Sequence, residues 1–119
     1  MGEFMEIIKK SNSIAGNNSA ECSTIEYSFI NKSIDLCVAT IKGRYPQKGY
    51  CKNCKVKELI YILEGSGVIN LNSQKIEFEQ GDAILIDCNE KYYWESPYCK
   101  AAIACTPAWN KEQYKCELD

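Results

Sequence analysis

Any chemistry in this chain has to run on carboxylates, thiols, phenols and amines, because none of its 119 residues is histidine. Without imidazole there is no histidine acid or base, no Ser-His or Cys-His nucleophile pair, and no metal site that needs imidazole. Thiols are plentiful: Cys22, Cys37, Cys51, Cys54, Cys88, Cys99, Cys105 and Cys116. In a small secreted chain that density would indicate a disulfide framework. The opening MGEFMEIIKKSNS lacks the apolar core of a signal peptide. The sequence therefore predicts a cytoplasmic protein with reduced thiols, several acting as small buried hydrophobes. Cys51-x-x-Cys54 has knuckle or redox spacing, but a structural zinc site needs four ligands and the chain has no second CxxC. A thioredoxin-like reading needs a βαβ setting, and none is visible.

Two other groupings could bind a ligand. Lys42, Arg44, Lys48, Lys52, Lys55 and Lys57 follow one another with no acidic residue between them, and Arg44 is the chain's only arginine. Such a run is either solvated surface or a local positive field suited to an anion such as a sugar phosphate or a carboxylate. Tyr92, Tyr93 and Trp94 form an aromatic cluster, with Trp109 and Tyr114 further on. Tyr92 and Trp94 share strand parity, so both would face one side, either stacking on a ligand or packing as core or dimer seam.

The elements that must position these residues read as short strands. Strands are expected over 25–30, 34–42, 58–63, 68–71, 75–78, 83–86, 92–95 and 100–106, the first two forming a hairpin across Asn31-Lys32-Ser33. Gly65-Ser66-Gly67 and Gly81-Asp82 read as tight turns. Residues 4–9 suggest an edge strand, 11–23 a flexible loop, and 43–57 a polar connection. After Pro107, Asn110 and Gln113 have the spacing of a helical cap. Many short strands with frequent turns predict an all-β sandwich or barrel. The expected layout is an N-terminal edge strand and loop over 1–23, with residues 1–4 a cloning remnant, a barrel over 24–107 and a tail over 108–119. The net charge of −2 argues against nucleic acid as a partner, and no apolar run is long enough to span a membrane.

Glu58, Gly65 and Gly81 carry a resemblance to the cupins, small jelly-roll (double-stranded β-helix) barrels with two short motifs. In the first motif, Glu58 is followed by six residues and Gly65, as in the family. The two preceding histidine places hold Lys52 and Cys54. In the second, Gly81 matches, the proline place holds Asp87, and the glycine place holds Asn89, which tolerates the same left-handed backbone. The histidine place holds Tyr92 and the asparagine place Ser96. The resemblance implies that three histidines and a glutamate would converge on a metal inside the barrel, and here only Glu58 survives. One carboxylate with Lys, Cys and Tyr is a poor set for iron or manganese. Two readings of this stretch stand side by side: strand parity turns Lys52, Cys54, Glu58, Ile60 and Ile62 inward together with Lys52 and Glu58 paired, or the Lys52 region is a solvated loop whose parity means nothing.

Three functions fit these residues. The first is a metal-free barrel that binds a small ligand, such as an anionic sugar or carboxylate, through Arg44, Lys52, Cys54, Glu58, Tyr92 and Trp94. The second is an isomerase- or epimerase-like enzyme with Glu58 as base and Tyr92 or Lys52 as acid, which requires burial to bring both pKa values toward neutrality. The third is a metal-bound form with Cys54 and Glu58 among the ligands. The first is preferred, with no cofactor, and the resemblance implies a homodimer.

Overall fold

A computed structural model describes residues 5–71 and 74–118. The chain is all-β: β1 (Ile14–Ser19), β2 (Cys22–Tyr27), β3 (Asp35–Tyr45), β4 (Tyr50–Asn53), β5 (Lys57–Leu71), β6 (Gln74–Glu79), β7 (Ala83–Ile86), β8 (Tyr92–Thr106) and β9 (Tyr114–Glu117). Two 3-10 turns, Lys10–Asn12 and Lys111–Gln113, complete it. The architecture is the expected jelly-roll type, present as a curled half-barrel.

The fold hangs on β8. One edge pairs with β3, from Asp35 opposite Cys105 to Tyr45 opposite Trp94. The other pairs with β5, from Lys57 opposite Thr106 to Leu71 opposite Tyr92. β5 also carries β7 and β6 along its far edge. β1 and β2 extend the β3 side, while β4 and β9 cover the other end of β8.

Both long strands were expected as two short ones. Gly65-Ser66-Gly67 is no turn: β5 runs through it, with register shifts between Ile62 and Glu64 and between Ser66 and Val68. Bulges of this kind bend a strand without ending it. Inward parity changes across the bend. Glu58, Ile60 and Ile62 are buried before it, and Ile69 and Leu71 after it. β8 does the same, burying Tyr92, Trp94 and Ser96, then Cys99, Ala101, Ile103 and Cys105. Gly65 is required at the bend because its φ is +84° and an added Cβ would land on the Tyr98 carbonyl.

Several expectations change. The loop over 11–23 is mostly strand, because polar β1 pairs with β2 and β2 with β3. Residues 5–9 form no strand, and Phe4 and the rest of 1–4 lie outside the described residues. The connection over 43–57 contains the end of β3 and all of β4, and β9 was not foreseen. The β2–β3 hairpin, the turn at Gly81, and the Asn110 cap on Gln113 N–H are as expected. Asn89 has φ 67°, the left-handed backbone expected of it.

The core is aliphatic. Ile41, Ile60, Ile62, Ile69 and Ile86 are almost fully buried, each stabilising by roughly 1.5–3 kcal/mol. Cys22, Cys51, Cys99 and Cys105 are buried among them as small apolar groups. No helix among the described residues is long and apolar enough to cross a membrane.

Candidate functional site

The inward faces of β2, β3, β5 and β8 do not fill the curl. They leave a partly open cavity of about 90 Å³. A cavity holds one water at roughly 10–15 Å³, so this space suits a small organic molecule.

Glu58 stands in its wall, on β5 between Ile86 of β7 and Cys105 of β8. Its Oε2 accepts from Asn53 Nδ2 at 3.1 Å. Asn53 is held in that orientation, since its Oδ1 accepts from Trp109 Nε1 at 3.1 Å and from Gln113 Nε2 at 2.8 Å. An amide whose oxygen takes two donors must present its NH₂ on the other side. Gln113 in turn accepts from the N–H groups of Lys55 and Val56 at 3.1 and 3.2 Å. The C-terminal turn thus locks the β4–β5 connection and aims Asn53 at Glu58.

Burial pushes the Glu58 carboxyl up from 4.5 to about 7; the Asn53 hydrogen bond opposes this and the Asp35 charge adds to it. Near neutrality the group is divided between its two states and can accept or release a proton. Asp35, also on the wall, is shifted upward by burial. Its Oδ2 accepts from Trp109 N–H at 3.0 Å.

The phenols behave differently. Tyr92 is buried on the wall, and burial followed by the Glu58 charge drives its pKa well above 10. Burial likewise raises Tyr45 and Tyr114, whose hydroxyls lie 2.7 Å apart. Burial disfavours the charged form of every acid, so it moves a carboxyl toward neutrality and a phenol away from it. The condition for a matched Glu58–Tyr92 pair is therefore met on one side only. Tyr92 keeps its proton at neutral pH. The wall thiols are also protonated: burial pushes Cys22 up to about 12 and drives Cys37 and Cys105 upward.

Of the six residues predicted from sequence, Glu58, Tyr92 and Trp94 meet at the cavity. Trp94 is also core, packed edge-on against Phe78 at 5.5 Å between centroids. Arg44, Lys52 and Cys54 are not part of the wall. Arg44 lies over the Tyr93 ring, 3.8 Å from its centroid, and donates to the Pro46 and Gly49 carbonyls. Lys52 pairs with Glu117 at 3.2 Å rather than with Glu58. The reason is parity: β4 buries Cys51 and Asn53 and turns Lys52 outward. The inward place expected for Lys52 and Cys54 is thus taken by their neighbours. The basic run does not make the cavity positive. Among the described residues lining it are Glu26, Asp35 and Glu58, and no lysine or arginine.

Asn53, Asp35, Tyr45, Trp109 and Tyr114 join in one constellation of which the sequence shows only the aromatic members Trp109 and Tyr114. Asn53 precedes the expected Cys54 by one place, and the others lie far apart in the chain and meet only through β3, β8 and β9. No group of three or more Cys, Asp or Glu side chains among the described residues is placed to hold a metal ion.

No family model matches this sequence, and no curated protein does either. Solved structures match the fold. Pac13, described as a unique nucleoside dehydratase, superposes with a TM-score of 0.82 at 17% identity over 96% of this chain and 92% of its own. A Streptomyces PAC13 variant solved with uridine gives 0.83 at 16% identity, over 98% of this chain and 92% of its own. The ectoine synthase of P. lautus gives 0.71 at 15% identity, over 96% and 91%.

Proposed function

From a chain with a cupin-type barrel fold and a carboxyl poised near neutrality in its cavity, we propose a small-molecule enzyme that moves a proton through Glu58. The reaction class is isomerisation, epimerisation or elimination of water, each of which needs a proton taken from one atom and given to another. The observation that carries this is Glu58, buried on the cavity wall with a pKa of about 7. Tyr92 donates a hydrogen bond to the substrate oxygen, and Asn53 orients Glu58. The fold shared with a nucleoside dehydratase supports this class.

The substrate is an uncharged, hydroxylated molecule. Three carboxylates on the wall disfavour an anion, while phenols and Thr24 offer hydroxyl partners. This reading differs from the anionic sugar or carboxylate expected from the basic run, which lies off the cavity wall. The alternative of a binder without catalysis keeps the same ligand and drops the proton transfer. The two are separated by incubating the protein in D₂O with a panel of nucleosides and sugars and following carbon-bound hydrogen by NMR. Wild type should stabilise against heat with a panel member and exchange its hydrogen or eliminate water. Glu58→Gln should bind but lose the turnover by at least about 100-fold. Equal turnover in Glu58→Gln sinks the enzymatic reading; no binding anywhere in the panel sinks the choice of substrate class.

The partner is a second copy of the chain. The outer face of the β5–β7–β8 region presents Leu59 opposite Leu85 and Ala104, and Tyr61 opposite Ala83 and Ala102. Leu59, Tyr61 and Leu85 are 55%, 50% and 62% exposed. A contiguous, uncharged patch of this kind marks an interaction surface, and the same patch on two copies is self-complementary about a two-fold axis.

A further inference from the structure

The Cys51-x-x-Cys54 pair drops out of the site, but Cys51 has a different neighbour. Its Sγ lies 2.9 Å from Sγ of Cys116. The two residues sit directly opposite one another in the antiparallel β4–β9 ladder. Cross-strand neighbours of this type have Cβ atoms about 4.5–5.5 Å apart, within reach of a bond after a small adjustment. Among the described residues β9 pairs with β4 alone, at the end of the sheet. Cys51 is fully buried and Cys116 exposed, so an external reagent meets Cys116 first.

We propose that Cys51 and Cys116 form a reversible disulfide site that clasps β9 to the barrel under oxidation by a low-molecular-weight disulfide. Cys116 gives up its proton and its sulfur attacks the reagent, forming a mixed disulfide and displacing one small thiol, which takes that proton. Cys51 then gives up its proton and attacks the Cys116 sulfur, releasing the second small thiol, which takes that proton. Two protein thiols and one small disulfide become one protein disulfide and two small thiols, so atoms and electrons balance. Burial pushes the Cys51 thiol up to about 12, which makes it a poor nucleophile toward free reagents. Its position against Cys116 offsets that within the mixed disulfide.

The clasp reaches the cavity through β9. Tyr114, two residues before Cys116, lies on the cavity wall and shares a hydrogen bond with Tyr45. Oxidation pins the strand that carries it. This site stands on the β4–β9 register and does not depend on Glu58.

The test is titration of the whole protein with oxidised glutathione, read by thiol counting and by mass spectrometry of the digested, non-reduced protein. Reactive thiols in the denatured protein should fall by two from the eight of the reduced chain, with a Cys51–Cys116 linkage that dithiothreitol reverses. Hydrogen exchange of β9 amides should slow in the oxidised form. Cys116→Ser should abolish the linkage, and Cys54→Ser should leave it intact. A Cys51–Cys54 linkage, or a glutathione adduct on Cys116 that never resolves, overturns the proposal.

Discussion

Glu58 sets a measurable pH dependence. Its carboxyl has an ordinary value of 4.5 when unfolded and about 7 in the fold. Between those values the folded chain holds the extra proton, so the stabilisation present below 4.5 is lost as pH rises through 7. The loss is on the order of 3 kcal/mol. Glu58→Gln mimics the protonated form at every pH, so its melting temperature should fall less than that of wild type between about pH 5 and pH 8. Identical slopes in differential scanning fluorimetry would remove Glu58 as the source. Asn53→Ala removes the donor that holds the carboxylate and strands the donors of Trp109 and Gln113, at about 1–3 kcal/mol each. It should raise the Glu58 midpoint and lower the urea midpoint together. Glu58, Tyr92 and Trp94 were legible because spacing from Gly65 and Gly81 and strand parity carry over to a buried face. Asn53 was not, because parity before Glu58 depends on how the connection from Cys54 to Val56 turns. A one-place difference there exchanges the inward and outward residues.

At the level of elements, glycine chemistry separates a bend from a turn. Gly65 and Gly81 both have positive φ, +84° and +93°. A Cβ at Gly65 would strike the Tyr98 backbone, whereas at Gly81 it meets nothing within 4 Å. Gly81→Ala should therefore cost only the backbone term, about 1–2 kcal/mol. Gly65→Ala should cost more than about 3 kcal/mol, since β5 and β8 cannot separate there without losing their ladder. Equal losses on urea unfolding would mean that β5 is not bent tightly against β8 at this point. The sequence shows that glycines interrupt the hydrophobic pattern over 58–71, but a bulge and a turn interrupt it in the same way. Only the partner strand decides between them, and β8 passes directly over Gly65. β1 escaped notice for a related reason: Gly16, Asn17 and Asn18 have low strand propensity, and pairing to β2 overrides it.

For the whole molecule, the curl separates two faces with different chemistry. Its inside holds the carboxyl and phenols; its outside presents the Leu59–Tyr61–Leu85 patch. Leu59→Lys places a charge at the centre of that patch without touching the cavity wall. Light scattering should show a dimer for wild type and a monomer for the variant, with the fold retained by circular dichroism. A monomeric wild type would leave the patch without its assigned partner. The all-β class, sandwich or barrel, was legible from the strand pattern, and the jelly-roll type from the cupin resemblance carried by Glu58, Gly65 and Gly81, although two pairs of expected short strands are single long strands. The half-open curl was not, because closure depends on which strands find neighbours across the sheet.

The proposed chemistry turns on one proton. The carboxyl carbon of Glu58, assigned in ¹³C-labelled protein by its loss in Glu58→Gln, can be followed by NMR as pH is varied. A midpoint of about 7 is the predicted result. A midpoint near the ordinary 4.5 would leave a fully ionised carboxylate at neutral pH and contradict a proton-transfer role for this cavity.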